Sequence, residues 1–220
     1  MLEAAAGGQA NEGDWLVAAR QSAGRGRQGR AWSSPPGNFY ASTLVTLQPG
    51  DPVPATLALV AAVALCDALD LPGVHIKWPN DLMAGDAKLS GILLERQGAC
   101  VVIGFGVNLL HAPALPDRPT TTVSALGKNL EPQVLAGRLQ PVFAALLAEW
   151  RTNGLARIVT LWLERAHRLG TPLAARLPDG ETVEGRFDGL TGDGALRLRL
   201  ADGAARVIHA ADVFALGDQG

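Results

Sequence analysis

The sequence is poor in the residues that would cross-link it, span a bilayer or coat a polyanion. Its only cysteines are Cys66 and Cys100. Both lie in apolar runs and read as small core residues, not as metal ligands or a disulfide framework. No apolar run is long enough to span a membrane. The start, Met-Leu-Glu-Ala-Ala-Ala-Gly-Gly, lacks the basic opening and apolar centre of a secretion signal. These gaps point to a soluble, cytoplasmic protein with no membrane partner. Surplus positive charge is missing too. The net charge is −2, which argues against a general nucleic-acid binder. The phosphate loop Gly-x-x-x-x-Gly-Lys-Ser/Thr is absent, as are zinc-ligand spacing and a Ser-His-Asp order. His75, His111, His167 and His209 are scattered and read as incidental.

Apolar residues are plentiful, at 48% of the chain, and 220 residues suit one large domain or a large one with a small appendage. Against this background, Gln21-Ser-Ala-Gly-Arg-Gly-Arg-Gln-Gly-Arg30 stands out. It holds Gly24, Gly26 and Gly29 with Arg25, Arg27 and Arg30, and no acid or large apolar residue. Such a segment has nothing to bury. Glycine lets backbone approach a ligand closely, and arginine offers fixed forks of donors for carboxylate or phosphate oxygens. Taken alone, the run also suits a solvated linker or a non-specific nucleic-acid patch. Its flanks favour a binding loop. Asp14-Trp-Leu-Val-Ala-Ala predicts a short buried strand, and Phe39 to Leu47 predicts another. A mobile basic loop with both ends pinned to core strands can close over an anion.

Farther along, residues 1–10 look like the end of a helix. Pro54 to Leu69 predicts a buried helix, Val74 to Trp78 a strand, and Pro79-Asn80-Asp81 a turn. Ala87 to Arg96 and Cys100 to Leu110 predict two strands. His111 to Thr122 carries three prolines and predicts a loop. Gln133 to Trp150 has helical apolar spacing that Pro141 should kink or split, and Leu155 to Leu169 predicts a second amphipathic helix. After Gly170 the texture changes to short alternating runs between turns such as Pro178-Asp-Gly and Thr191-Gly-Asp-Gly. That is a meander of short strands forming a small barrel. The fold class expected is α+β, with residues 1–169 as a main domain and 170–220 as a small all-β domain.

Three further motifs carry chemistry. Lys77-Trp-Pro-Asn80-Asp81 puts a cation, an amide and a carboxylate at a strand end, although Pro-Asn-Asp also makes an ordinary surface turn. In Lys88-Leu-Ser-Gly91-Ile-Leu-Leu-Glu95, period two places Lys88, Ser90, Ile92 and Leu94 on one face and Gly91 on the other. Gly104-Phe-Gly106-Val-Asn108 sets two glycines on one face of an apolar strand, where they cost stability unless something packs on bare backbone. Together they describe a sheet face cleared for a flat ligand, rimmed by Lys77, Asp81, Lys88 and Asn108. Such cations suit a phosphate-bearing ligand, and an acid such as Asp81 could hold Mg²⁺.

In this order, Gln21 to Trp32, Lys77 to Leu82, Lys88 to Glu95 and Gly104 to Asn108 resemble biotin protein ligase, also called biotin–[acetyl-CoA-carboxylase] ligase. The resemblance runs from about residue 14 to the C-terminus. It implies a class II synthetase-like mixed sheet packed by helices, joined to an SH3-like C-terminal domain. It also implies a two-step reaction. Biotin and MgATP give biotinyl-5′-AMP, and the biotinyl group then passes to a lysine of a biotin carboxyl carrier protein of acetyl-CoA carboxylase. The same resemblance gives roles to individual residues. Gln21, Gly24, Arg25, Gly26, Arg27, Lys88 and Gly91 would bind biotin, with Gln21 at its ring and Gly91 beneath it. Arg27, Arg30, Trp32, Lys77, Asn80 and Asn108 would bind nucleotide, with Trp32 stacked near the adenine. Lys88, Arg25, Arg27 and Asp81 would serve catalysis, Lys88 at the reacting carboxylate and α-phosphate, and Asp81 at metal or phosphate.

Two departures from the family qualify these expectations. An Asp-Ser-Thr-Asn-like motif at the start of the ligase domain is missing, so the chain is expected to begin late. No DNA-binding domain precedes the ligase motifs, which implies the monofunctional type without a specific DNA partner. A homodimer is left open. The rival readings are a lipoate or octanoate ligase of the related fold, an inactive homologue, and a non-catalytic module whose arginine loop binds nucleic acid or an acidic partner.

Overall fold

A computed structural model describes residues 1–116 and 118–216. Among these, the helices are α1 (Leu2–Ala6), α2 (Leu57–Leu69), α3 (Pro132–Asn153) and α4 (Ala156–Leu163). A six-stranded sheet is built from β1 (Trp15–Ala18), β2 (Phe39–Thr46), β3 (Val74–Lys77), β4 (Asp81–Ala84), β5 (Ala87–Gln97) and β6 (Cys100–Val107). Its spatial order is β1-β2-β6-β5-β4-β3. Every strand pair in it is antiparallel. Among the described residues, parallel pairing, the other component of the mixed sheet expected, occurs as isolated bridges at Ile76–Ala166 and Lys88–Thr120.

The helix α2 explains the layering. Its residues are apolar almost all round, and ten of its thirteen are buried. A helix of that kind must be covered on every side. The sheet lies against it on one side, with α3 and α4 on the other. Trp150 of α3 reaches into the same core and donates its indole N–H to the Thr56 hydroxyl at 2.8 Å. Trp15, Phe105 and Phe143 complete the seam between sheet and α3, with ring centroids 5.5–6.1 Å apart. The opposite face of the sheet carries no such helix pair, and there the glycines of β5 and β6 lie.

The C-terminal strands are β7 (Pro172–Arg176), β8 (Thr182–Leu190), β9 (Leu196–Arg199), β10 (Ala205–Ile208) and β11 (Asp212–Ala215). They form a separate antiparallel sheet in the order β10-β9-β8-β7-β11. The last four positions of the expected 170–220 unit lie outside the described residues. This sheet docks on the larger body. Trp78 donates its indole N–H to the Gly194 carbonyl at 3.1 Å, and Trp162 of α4 meets Phe187 of β8 edge-on.

Four sequence expectations are corrected. The strand at Trp15 is not a buried one: Leu16 is 53% and Val17 38% exposed, because among the described residues β1 is an edge strand paired only with β2. Of the two outcomes expected at Pro141, a kink or a split, the split does not occur: α3 runs on through it. The carbonyl that its ring cannot bond belongs to Gly137, which is exposed to solvent. The helix at Leu155 stops at Leu163 because the next turn is used otherwise: Ile76 N–H donates to the Arg165 carbonyl at 2.7 Å. Asp81 is not turn but the first residue of β4.

Candidate active site

Glycine shapes the floor. Gly91 on β5 pairs with Gly106 on β6, and both lie under the Trp32 indole. A Cβ on Gly106 would stand 2.6–2.8 Å from that ring, and one on Gly91 3.1 Å from it. No side chain other than hydrogen fits at Gly106 while the indole stays there. Gly104 is less demanding, since its nearest neighbour would be 3.7 Å from a Cβ. The floor is thus Gly91 with Gly106, not the Gly104–Gly106 pair that alternation on one strand predicts. Trp32 Nε1 is buried and has no hydrogen-bond partner among the described residues.

Beside the floor lies a pit of charge. The register of β4 on β5 shifts between Leu82 and Met83, which pair with Ser90 and Lys88. Leu89 is therefore an extra residue, and such a bulge re-aims neighbouring side chains. Lys88 Nζ comes within 3.4 Å of a Cβ built on Gly91, so Lys88 serves the glycine side and not the Ile92 face that strict period two assigns. There it donates to Asp81 Oδ1 at 2.7 Å. Lys77 and Arg118 stand 3.6 and 3.7 Å from Asp81 Oδ2. Burial opposes ionisation of Asp81, but Lys88, Lys77 and Arg118 together outweigh it and hold the carboxyl below its ordinary value. Burial likewise draws the Lys77 ammonium below its ordinary value, with Asp81 opposing. Three cations surround one carboxylate, so the pit is net positive and suited to an anion.

The arginine loop covers the mouth. It is a folded excursion: Trp32 N–H donates to Gly24 C=O at 2.9 Å, and Gly26 N–H to Arg30 C=O at 2.7 Å. Gly24 is required, since a Cβ there would stand 2.5 Å from the Trp32 carbonyl oxygen. Gln28 at φ 55° and Gly29 at φ 72° turn the tip. Arg25 pairs with Glu95 at 3.0 Å. Arg27 donates to Asn80 Oδ1 at 3.3 Å and to the Ala211 carbonyl at 3.1 Å. Arg30 donates to both oxygens of Asp212, at 3.1 and 2.9 Å. Floor, pit and loop enclose a cavity of about 1030 Å³, with Gln21, Arg27, Trp32, Lys88, Gly91 and Arg118 among its lining residues.

This arrangement can neutralise and orient two anionic groups above an apolar floor. The donor set does not fit a metal ion held by protein alone. Asp81 is already shared by three cations, and among the described residues no group of three His, Cys, Asp or Glu is placed to hold one.

Residues 6–108 match the Biotin/lipoate A/B protein ligase family, and residues 169–216 match the Biotin protein ligase C terminal domain. A Biotin--[acetyl-CoA-carboxylase] ligase of Paracoccus denitrificans is 42% identical over 216 residues, covering 91% of this chain and 89% of that protein. The chain belongs to the biotin protein ligase family. Among solved structures, the biotin protein ligase from Aquifex aeolicus in complex with biotin and ATP shares the fold. Its TM-score is 0.82 at 24% identity, over 94% of this chain and 90% of that one. The enzyme from Leishmania major in complex with biotinyl-5-AMP superposes with TM-score 0.63 at 30% identity, over 95% and 92%.

Set in this ligase fold, most of the residues picked from sequence meet at one place. Gln21, Arg25, Gly26, Arg27, Arg30, Trp32, Asn80, Asp81, Lys88 and Gly91 all line the cavity. Gly24, Lys77 and Asn108 do not line it. Gly24 holds the loop closed on itself. Lys77 backs Asp81 from a buried position. Asn108 is buried behind β5, where its amide donates to the Thr121 carbonyl at 3.2 Å and reaches the Lys88 carbonyl at 3.5 Å. Asn80 donates to the Ile92 carbonyl through a short hydrogen bond, which leaves its oxygen for Arg27. Sequence reasoning missed Arg118, Glu95 and Asp212. Arg118 sits in the proline-rich 111–122 loop, and only the return of that loop to Lys88 through Thr120 brings it in. Asp212 follows a plain barrel turn and carries no local signal at all.

Proposed function

We propose that this ligase activates biotin with ATP and transfers the biotinyl group to a lysine of a biotin carboxyl carrier protein. The observation that carries this is the pit around Asp81, with three cations at the edge of a glycine floor and an arginine loop above. A biotin carboxylate and the phosphates of ATP repel each other. Fixed cations remove that barrier and stabilise charge developing at the α-phosphorus. A carboxylate oxygen attacks the α-phosphorus, the bond to the β-phosphate breaks, and pyrophosphate leaves. The amine of the carrier lysine then attacks the acyl carbon of biotinyl-5′-AMP, AMP leaves and a proton is lost. No enzyme nucleophile is required, since the adenylate is itself the activated species.

In this reading Lys88 contacts the carboxylate and the α-phosphate. Arg25, Arg27 and Arg30 close over biotin and its adenylate, Gln21 meets the biotin ring, and Gly91 lies beneath it. Because Trp32 covers Gly91, its indole must swing aside for biotin and is then available to stack on adenine. Asn80 acts through Arg27, and Lys77 through Asp81. Asp81 serves as the counter-ion that holds Lys88. Magnesium would enter as part of the MgATP substrate, since Asp81 is already shared by three cations and offers it no protein site. Residues 1–169 form the catalytic part and 170–220 its C-terminal partner, in the cytoplasm. The complex named for the Leishmania enzyme and the carboxylase in the name of the Paracoccus one support intermediate and acceptor.

The test is ATP–pyrophosphate exchange with biotin, lipoate and octanoate offered separately. Exchange dependent on biotin alone is expected. Exchange driven by lipoate or octanoate, or none with any acid, overturns the reading.

A further inference from the structure

The tip of the arginine loop is tied to the other end of the chain. Asp212 is the first residue of β11, whose backbone is fixed by pairing with β7 at Arg176. Its carboxylate takes two hydrogen bonds from Arg30 Nη2, at 3.1 and 2.9 Å, and stands 3.6 Å from Arg27 Nη1. The preceding carbonyl, on buried Ala211, accepts from Arg27 Nη2 at 3.1 Å. One short stretch at the start of β11 thus engages both guanidiniums and borders the cavity. The Asp212 side chain is only 18% exposed, so this is not a loose surface pair. Two cations on one held carboxylate also lose less freedom per contact than two separate pairs would.

We infer that Asp212 is a positioning residue that anchors the arginine loop to the C-terminal barrel and holds Arg27 and Arg30 at the cavity mouth for an anionic ligand. It touches no reacting atom itself. Its effect is entropic: a loop already ordered loses less freedom when the ligand arrives. The inference rests on the proposed reaction for its consequence in catalysis, but not for the anchor itself.

Two measurements separate these. The first uses the full chain without biotin or ATP. Trypsin cleavage after Arg25 is followed by mass spectrometry in wild type, Asp212→Asn, Asp212→Glu, Arg30→Gln and the double variant Asp212→Asn/Arg30→Gln. Faster cleavage is expected in Asp212→Asn, with Asp212→Glu restoring much of the protection. The double variant should be no faster than the faster single one. Cleavage unchanged in a folded Asp212→Asn, or single effects that multiply in the double, overturns the anchor. Asp188→Asn, which breaks pairs internal to the barrel with Arg197 and Arg199, controls for barrel loosening. Equal sensitivity in that variant also overturns the inference. The second measurement is pyrophosphate exchange by Asp212→Asn. KM for ATP should rise about three- to tenfold, as freed arginines must be ordered on binding, with kcat little changed. A fall in KM would mean that Asp212 competes with the ligand for its arginines, and would overturn the positioning role. If exchange is absent even in wild type, the proposed reaction fails while the cleavage result stands.

Discussion

Two carboxylates organise the site, and they work in different media. Asp81 is buried under Lys88, Lys77 and Arg118. Asp212 stands at the rim, where Arg30 remains 47% exposed. Each pairs with more than one cation. In the pit, little water remains to screen an uncompensated charge, so each partner depends strongly on the others. At the rim, solvent screens whatever is lost. The pit is therefore part of the fold as well as of the site, whereas the rim contact governs where a loop rests. A binding site can use the first for fixed electrostatics and the second for a part that must move.

The comparison breaks most readily at Asp81. Asp81→Asn leaves Lys77, Lys88 and Arg118 facing one another without their buried counter-ion and should cost about 3–5 kcal/mol, as removal of one partner from a buried ion pair does. For a chain of this length that lowers Tm by about 6–20 °C, which calorimetry would register. A drop no larger than that of a surface substitution would show the pit to be wet and well screened. Lys88→Ala tests the chemistry of the same pit. Pyrophosphate exchange should fall by about 10²–10³, the usual loss when one preorganised charge-stabilising donor is removed, while circular dichroism stays native. Exchange at the wild-type rate would remove Lys88 from its role.

Acid sharpens the contrast from behind the pit. His167 and His75 lie with ring centroids 4.5 Å apart. Burial first, then His75 and Lys77, draws the His167 imidazole down to about 4. The folded protein holds this ring neutral where the unfolded chain would protonate it. Its penalty is therefore absent above about pH 6.5 and grows as pH falls toward 4, to roughly 2 kcal/mol once screening is allowed for. Asp81 acts later. Its folded value lies below the ordinary one, so its contribution is full above about pH 4 and is lost on further acidification. His167→Gln should flatten the urea midpoint between pH 6.5 and 4 relative to wild type. An unchanged slope would exclude His167 as the group responsible. Smallest of all, Asp212→Asn should change global stability by no more than about 1 kcal/mol, measured by urea denaturation, even though it frees the loop. A loss as large as that of Asp81→Asn would erase the distinction between pit and rim.

Much of this molecule was legible in its amino-acid order because the relevant physics is short-ranged. The apolar run from Leu57 to Leu69 has to be a buried helix. Alternation and β-branched residues mark Phe39–Thr46 and Cys100–Val107 as strands. A stretch as polar and glycine-rich as 21–30 has to be a loop, and its arginines announce an anion. Most of the pit was visible, as Lys77, Asp81 and Lys88, and of its three cations Arg118 alone was missed. What local reasoning could not supply was every feature set by pairing at a distance. The bulge that turns Lys88 toward Gly91 depends on how β4 registers against β5. Leu16 is exposed because β1 is the edge of the sheet among the described residues. Arg118 enters the pit only when its loop folds back on Lys88. Asp212 meets Arg30 across 182 residues of chain. The sequence by itself determined which segments are core, which segment is basic loop and which chemistry their side chains offer, because periodicity and composition act within a few residues. Only the tertiary structure decided which carboxylate each cation meets and which ring lies on the glycine floor, because those contacts depend on strand register and the docking of the barrel.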